Sequence, residues 1–169
     1  THDRDEAFAL ADKIVFMNQG NIVQIGTPKE VLDGPRNEFV ARSLGFNNIL
    51  QGKTISSGKF VQIRSPIGVI SALKTGRDWP SNNTDILIFI DGKGISVKIC
   101  PGDNVSPTNL IEGTIIERSF RKGEYEVKVR VRETDIFFYV PVYSQHSKLD
   151  QGDRVCLQIE PEAIRLIGQ

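Results

Sequence analysis

Apolar and polar positions change rhythm once along the chain. Over Asp5-Glu6-Ala7-Phe8-Ala9-Leu10-Ala11-Asp12, alanine and leucine dominate, and Phe8 and Ala11 stand three apart on one face, which predicts a helix. Asp3, Asp5 and Glu6 fall in its first turn, where the positive end of the helix dipole favours them. Two apolar runs at 14–17 and 22–25 flank Asn18-Gln19-Gly20-Asn21, the pattern of a β-hairpin. Thr27-Pro28-Lys29-Glu30 supplies a cap, a proline at the first helical position and a capping-box glutamate, and Gly34-Pro35 ends that short helix. A last helix starts at Asn37, runs through Phe39, Val40 and Leu44, and stops at Gly45.

From about residue 46 the period becomes two. Tyr125-Glu126-Val127-Lys128-Val129-Arg130-Val131-Arg132 alternates apolar and charged positions, and Ile136-Phe137-Phe138-Tyr139-Val140 comes after a short polar turn, so these runs are expected to pair. Residues 85–90 and 155–159 are further short strands, and closely spaced Gly and Pro point to a small barrel. Asn48-Ile49-Leu50-Gln51-Gly52 matches Asn109-Leu110-Ile111-Glu112-Gly113, and residues 89–97 resemble 158–166 in the same order. Two copies of one β unit, about 48–108 and 109–169, are therefore predicted, the second longer in its hairpin.

Composition narrows the function. In 169 residues, 21 Lys+Arg balance 21 Asp+Glu, which argues against a dedicated nucleic-acid binder. No apolar run reaches the roughly 18–20 residues of a membrane span, and no signal peptide is visible. Cys100 and Cys156 lack Cys-x-x-Cys spacing and lie in apolar strand-like runs; they are expected to be buried thiols, neither a disulfide framework nor a metal site, and secretion is not expected. A chain beginning Thr1-His2-Asp3, without Met, is expected to be a fragment.

Thr1-His2-Asp3-Arg4-Asp5-Glu6-Ala7 together with Ala11-Asp12-Lys13-Ile14 resembles the switch-histidine segment of ABC-type ATPase subunits. Residues 17–28 are similar to the stretch just beyond that histidine in prokaryotic importers, and 37–45 resemble the last helix of their nucleotide-binding domain. The resemblance assigns 1–45 to the end of that domain. It makes 46–169 a regulatory pair of OB-like β-barrels, the transport-associated OB domain, with Glu160 replacing the usual Arg before Pro161-Glu162. The expected fold class is thus mainly β, two OB-like units preceded by a short α+β tail.

By the same resemblance, His2 reaches the γ-phosphate of ATP in the parent protein, where an imidazole can donate to developing phosphoryl charge. The parent would use ATP and Mg²⁺. This chain has no G-x-x-x-x-G-K-[ST], Walker-B pair or Ser-Gly-Gly signature, so the fragment is expected neither to hold nucleotide tightly nor to hydrolyse it.

Ser106-Pro107-Thr108-Asn109 and Gly113 approach the Ser-x-Arg-Asn-x-x-x-Gly motif of molybdate- and tungstate-binding domains, with Thr108 in place of Arg. Ser106, Thr108 and Asn109 are candidate effector residues for a small anion, against the plainer reading that Ser106 and Asn109 cap a turn. The basic stripe of Arg121, Lys122, Lys128, Arg130 and Arg132 is interleaved with Glu124, Glu126 and Glu133 and reads as a solvated strand face. Trp79 is placed on a loop, in the core or at a partner contact, and His146 in an exposed loop.

The resemblance implies the C-terminal regulatory region of an importer's ATPase subunit, peripheral on the cytoplasmic face of the membrane. Its partners would be a second copy of that subunit, the transmembrane permease subunits and a small-anion effector, with no nucleic acid. The near-miss motif leans the cargo towards molybdate or tungstate, sulfate or ferric iron, with sugar or polyamine as the alternative. A free-standing OB-type module for nucleic acid or a small ligand is the competing class.

Overall fold

The computed structural model describes residues 4–56, 58–74, 80–100, 108–121, 124–142 and 149–168. The first part forms α1 (Arg4–Leu10), the hairpin β1 (Ile14–Asn18) and β2 (Asn21–Gly26), α2 (Pro28–Asp33) and α3 (Glu38–Ser43). Each boundary has a local cause. Gln19 and Gly20, at φ 49° and 80°, make the hairpin turn. The Glu30 amide donates to the Thr27 hydroxyl at 3.3 Å while the Glu30 carboxylate accepts from the Thr27 amide at 2.8 Å, closing the capping box. The Asn37 side chain accepts from the Val40 amide at 3.0 Å, and Gly45 ends α3 at φ 88°.

The rest is strand. The first copy holds β3 (Asn48–Ser56), β4 (Phe60–Ser65), β5 (Gly68–Leu73), β6 (Asp85–Ile90) and β7 (Ile95–Ile99). The second holds β8 (Leu110–Arg121), β9 (Glu124–Val131), β10 (Phe137–Val142), β11 (Arg154–Ile159) and β12 (Ile164–Gly168). A 3-10 turn, Gly92–Gly94 or Pro161–Ala163, separates the fourth and fifth strand of each copy. Two curled five-stranded antiparallel sheets result, ordered β12-β6-β3-β4-β5 and β10-β9-β8-β11-β7. Each OB-like unit therefore takes four strands from one copy and its fifth from the other.

Alternation along these strands turns one face of each sheet inward, and the two inner faces form a single core. Ile63, Ile70, Ile86, Ile88 and Ile90 meet Ile115, Val129, Phe138, Leu157 and Ile159 in it, all essentially inaccessible. Gly52 and Gly113, equivalent in the two copies, are set by steric space. A Cβ on Gly52 would lie 2.9 Å from the Arg64 carbonyl, and one on Gly113 would lie 2.7 Å from the Arg130 carbonyl.

The exchanged strands correct one expectation. Cys100 and Cys156 are joined in a disulfide, Cα atoms 4.8 Å apart across a sequence separation of 56, not held as free buried thiols. β7 pairs with β11 of the other copy, which brings together two cysteines that no local spacing connects.

The α/β segment docks on the outer face of the first sheet, over β3, β6 and β12. Ile14, Val31, Val40, Ala41, Leu44 and Phe46 enclose Phe89 and pack against Ile49, Leu87 and Ile167. The rings of Phe46 and Phe89 lie 6.1 Å apart, and Arg165 of β12 reaches Asp33 of α2 at 3.3 Å. The β4–β5 half of that outer face is left uncovered and carries Gln62, Arg64 and Val69. Among the described residues, no helix is long and apolar enough to cross a membrane.

Candidate effector site

The two copies cross twice, and each crossing is clamped by the asparagine that opens the copy. Asn48 accepts from the Tyr139 amide at 2.8 Å and donates to the Tyr139 carbonyl at 3.0 Å. Asn109 does the same to Ser71, accepting from its amide at 2.7 Å and donating to its carbonyl at 2.8 Å. Longer contacts reach the Ile90 and Ile159 carbonyls, equivalent strand ends. Each amide thus behaves as a short piece of strand and satisfies both backbone groups of a residue in the other copy. Asn109 stands at φ 62°, a left-handed conformation that asparagine tolerates.

The surroundings of the two clamps differ. At the Asn48 crossing, Gly92 lies so close that a Cβ there would be 2.9 Å from the Tyr139 carbonyl and 3.0 Å from Pro141 Cδ. At the Asn109 crossing, Ser71 replaces the bulk of tyrosine, Pro161 stands where Gly92 stands, and a cavity of about 380 Å³ opens. Ser56, Phe60, Gln62, Ser71, Thr108 and Pro161 line it. Hydroxyls, an amide and one aromatic face can hydrogen-bond and stack, and among the described residues no charged side chain belongs to the lining. Glu160 and Glu162 flank Pro161 and are both exposed.

Of the candidates named from sequence, Thr108 lines this cavity, and the Asn109 side chain is spent on the clamp beside it. His2, Ser106, Trp79 and His146 lie outside the described residues. Ser56, Phe60, Gln62, Ser71 and Pro161 carried no signal of their own. The equivalence of Ser71 and Tyr139, each held by the asparagine that opens the other copy, comes from the structure. Of the basic stripe, Lys128 lies over the Phe137 and Tyr139 rings at 4.6 and 5.6 Å and pairs in register with Glu117, and Lys122 lies outside the described residues; Arg118, next to the stripe, covers Tyr125 at 4.6 Å and reaches Asp150 at 3.4 Å. Among the described residues, no cluster of His, Cys, Asp and Glu could hold a metal ion.

No family model matches the chain. It is 30% identical over 168 residues, 99% of its own length, to the spermidine/putrescine import ATP-binding protein PotA of Clostridium acetobutylicum. It is 33% identical over 165 residues, 96% of its length, to the protein of the same name from Thermobifida fusca. The chain spans 43% and 42% of these two relatives, less than half of each. Among solved structures, the cytoplasmic molybdate-binding protein ModG with molybdate bound has the same fold, with a TM-score of 0.58, 16% identity, and coverage of 71% of this chain and 94% of that one.

Proposed function

We propose that this chain, similar along almost its whole length to ATP-binding subunits of ABC-type importers, is the C-terminal part of such a subunit and regulates a protein that couples ATP hydrolysis to solute uptake. The observation that carries the reading is similarity along almost the whole chain to two import ATP-binding proteins, joined to a pair of interlocked OB-like units. Residues 1–45 complete the nucleotide-binding domain and 46–169 form the regulatory domain, a division supported by the change from capped helices to sheet at that point. ATP and Mg²⁺ are held by the rest of the parent protein, to which this segment contributes His2 as the γ-phosphate contact. The segment alone does not turn ATP over. Its partners are a second copy of the subunit and the permease subunits at the cytoplasmic face of the membrane.

The relatives' names favour a polyamine as the transported solute over the inorganic ions to which the near-miss motif leaned. Electrostatics agrees. Thr108 stands where an oxyanion site would place a fixed cation, and the cavity it lines has no charged side chain among the described residues and is flanked by Glu160 and Glu162. An effector entering this cavity would touch both copies at once, through Ser71 and Thr108, and so could favour one arrangement of the region over another.

The test uses the full-length protein assembled with its permease and solute-binding partners. Uptake of labelled putrescine and spermidine is expected, with none of molybdate or sulfate; the reverse would overturn the polyamine assignment. Ser71→Tyr, which puts a ring at the cavity, is expected to leave basal ATPase activity unchanged and to abolish any inhibition that excess solute exerts on it. Inhibition that survives the substitution would remove the cavity from the regulatory role. His2→Ala should lower ATP turnover by roughly 100-fold, the scale of one lost transition-state donor.

A further inference from the structure

Between the end of β3, the facing residue Arg64 of β4 and the 81–84 turn lies a second cavity, of about 240 Å³, lined by Lys53, Thr54, Ile55, Arg64, Asn82 and Asn83. Lys53 of β3 and Arg64 of β4 are direct register partners, so two cations face each other across an antiparallel pair. Such an arrangement is destabilising by itself. The carboxylate that answers it is Asp85 of β6, 3.7 Å from Lys53 and on the side away from Arg64, and among the described residues Arg64 has no acidic partner. Two cations and one carboxylate leave a net positive charge at the cavity.

The opposite wall is rigid. The buried Thr54 hydroxyl donates to the Ser81 carbonyl at 2.6 Å and accepts from the Thr84 amide at 3.0 Å, and the Asn83 amide donates to the Thr54 carbonyl at 2.8 Å. These bonds hold the 81–84 turn, with Asn83 at φ 63°, so that Asn82 and Asn83 line the same space as Lys53 and Arg64. Lys53, Arg64, Asn82 and Asn83 border one volume and each has a side chain able to donate, and a guanidinium fork matches the spacing of two oxygens on a tetrahedral anion.

We propose that this cavity is a binding site for a phosphate group, either free phosphate or the phosphate of a small ester, held by Lys53, Arg64, Asn82 and Asn83. It is separate from the Asn109 crossing and stands whether or not that cavity takes an effector. Arg64 contacts the anion directly and Lys53 turns from Asp85 towards it, which relieves the repulsion between the opposed cations. The volume exceeds what one tetrahedral anion fills, leaving room beside Ile55 for a carbon substituent.

The test titrates the 169-residue chain at low ionic strength with inorganic phosphate and, separately, with glycerol 3-phosphate, followed by calorimetry and by amide chemical shifts. Saturable binding below about 1 mM is expected, with shifts centred on residues 53–55, 64 and 82–84. Arg64→Gln and Lys53→Met should each weaken it at least tenfold, Asp85→Asn should tighten it, and Arg154→Gln on the other sheet should leave it unchanged. Tighter binding of the ester identifies a phosphate ester as the occupant, and equal binding identifies the free anion. An absence of saturation at 10 mM overturns the site, as does equal weakening in Arg64→Gln and Arg154→Gln, which would report only diffuse charge. Thermal melts of each variant separate loss of the site from loss of the fold.

Discussion

The two crossings of this molecule have the same hydrogen bonds and opposite fillings. Asn48 and Asn109 each clamp one residue of the other copy through its amide and carbonyl, yet beside the first Gly92 is packed against the Tyr139 carbonyl and Pro141, and the second opens into a cavity beside Ser71 and Pro161. Duplication of one β unit supplies two equivalent joints. Structure requires the bonds at both, but only one joint has to be filled for the sheets to hold. The other is free to carry a ligand, which places the candidate site where the pseudo-symmetry fails.

The severest way to break this comparison is to separate the copies. Residues 46–108 alone lack β12, which completes their own sheet, and lose the second sheet's half of the common core. They should not fold as a monomer, and adding 109–169 in trans should restore dispersed amide spectra for both. Folding only as a dimer, with two first copies exchanging β7, agrees with the exchange. A folded monomer at low concentration would show that each unit closes on itself.

A finer cut removes the clamps one at a time. Asn48→Ala leaves the amide and carbonyl of Tyr139 unpaired beside the closely packed Gly92, and should cost about 2–4 kcal/mol in urea unfolding. Asn109→Gly loses the matching bonds to Ser71, but the adjacent cavity admits water to those backbone groups, so a smaller cost is expected. Asn109→Ala should exceed Asn109→Gly by about 1 kcal/mol, because alanine is strained at φ 62°. Equal costs for Asn48→Ala and Asn109→Gly would mean that the cavity makes no difference to its own wall.

The repeat was readable because Asn and Gly recur at fixed spacing, and the structure supplies the reason, a clamp and a close approach of backbones at Asn48 and Gly52 and again at Asn109 and Gly113. The capped helices and the β9–β10 hairpin were readable because Thr27, Glu30, Asn37 and the alternation over 125–132 act locally. The β4–β5 hairpin was not predicted, because exposed Phe60 at the head of β4 breaks the apolar-in, polar-out pattern. Strand exchange is beyond such patterns altogether. Alternation states which face of β7 is buried and says nothing of whether β6 or β11 lies beside it, so the Cys100–Cys156 disulfide was missed with it. For the same reason Thr108 was a candidate from its motif, whereas Gln62, Ser71 and Pro161 line the same cavity only through contacts between distant segments.

The smallest expected effect compares the docked α/β segment with the sheets beneath it. In α2, the hydrogen bond from Lys29 chiefly, with Arg165 adding to it, holds the Asp33 carboxyl below the usual range, and bonds from the Thr27 amide and hydroxyl do the same for Glu30. A carboxyl whose pKa is lower folded than unfolded stabilises the fold above the unfolded value of about 4, and that contribution disappears as pH falls through the lower, folded value. The Asp33–Arg165 contact ties the segment to β12, whereas among the described residues no ionisable side chain is buried in the core of the two sheets. Acidification from pH 7 to pH 3 should therefore raise amide exchange first around α2 and Val31 and later at Ile88 and Leu157. Asp33→Asn should reduce that early acid response and cost less than about 1 kcal/mol at neutral pH, the scale of a partly exposed ion pair. Simultaneous opening of α2 and the sheets would show that the segment and the β core unfold as one unit, and an unchanged acid response in Asp33→Asn would move its origin to Glu30.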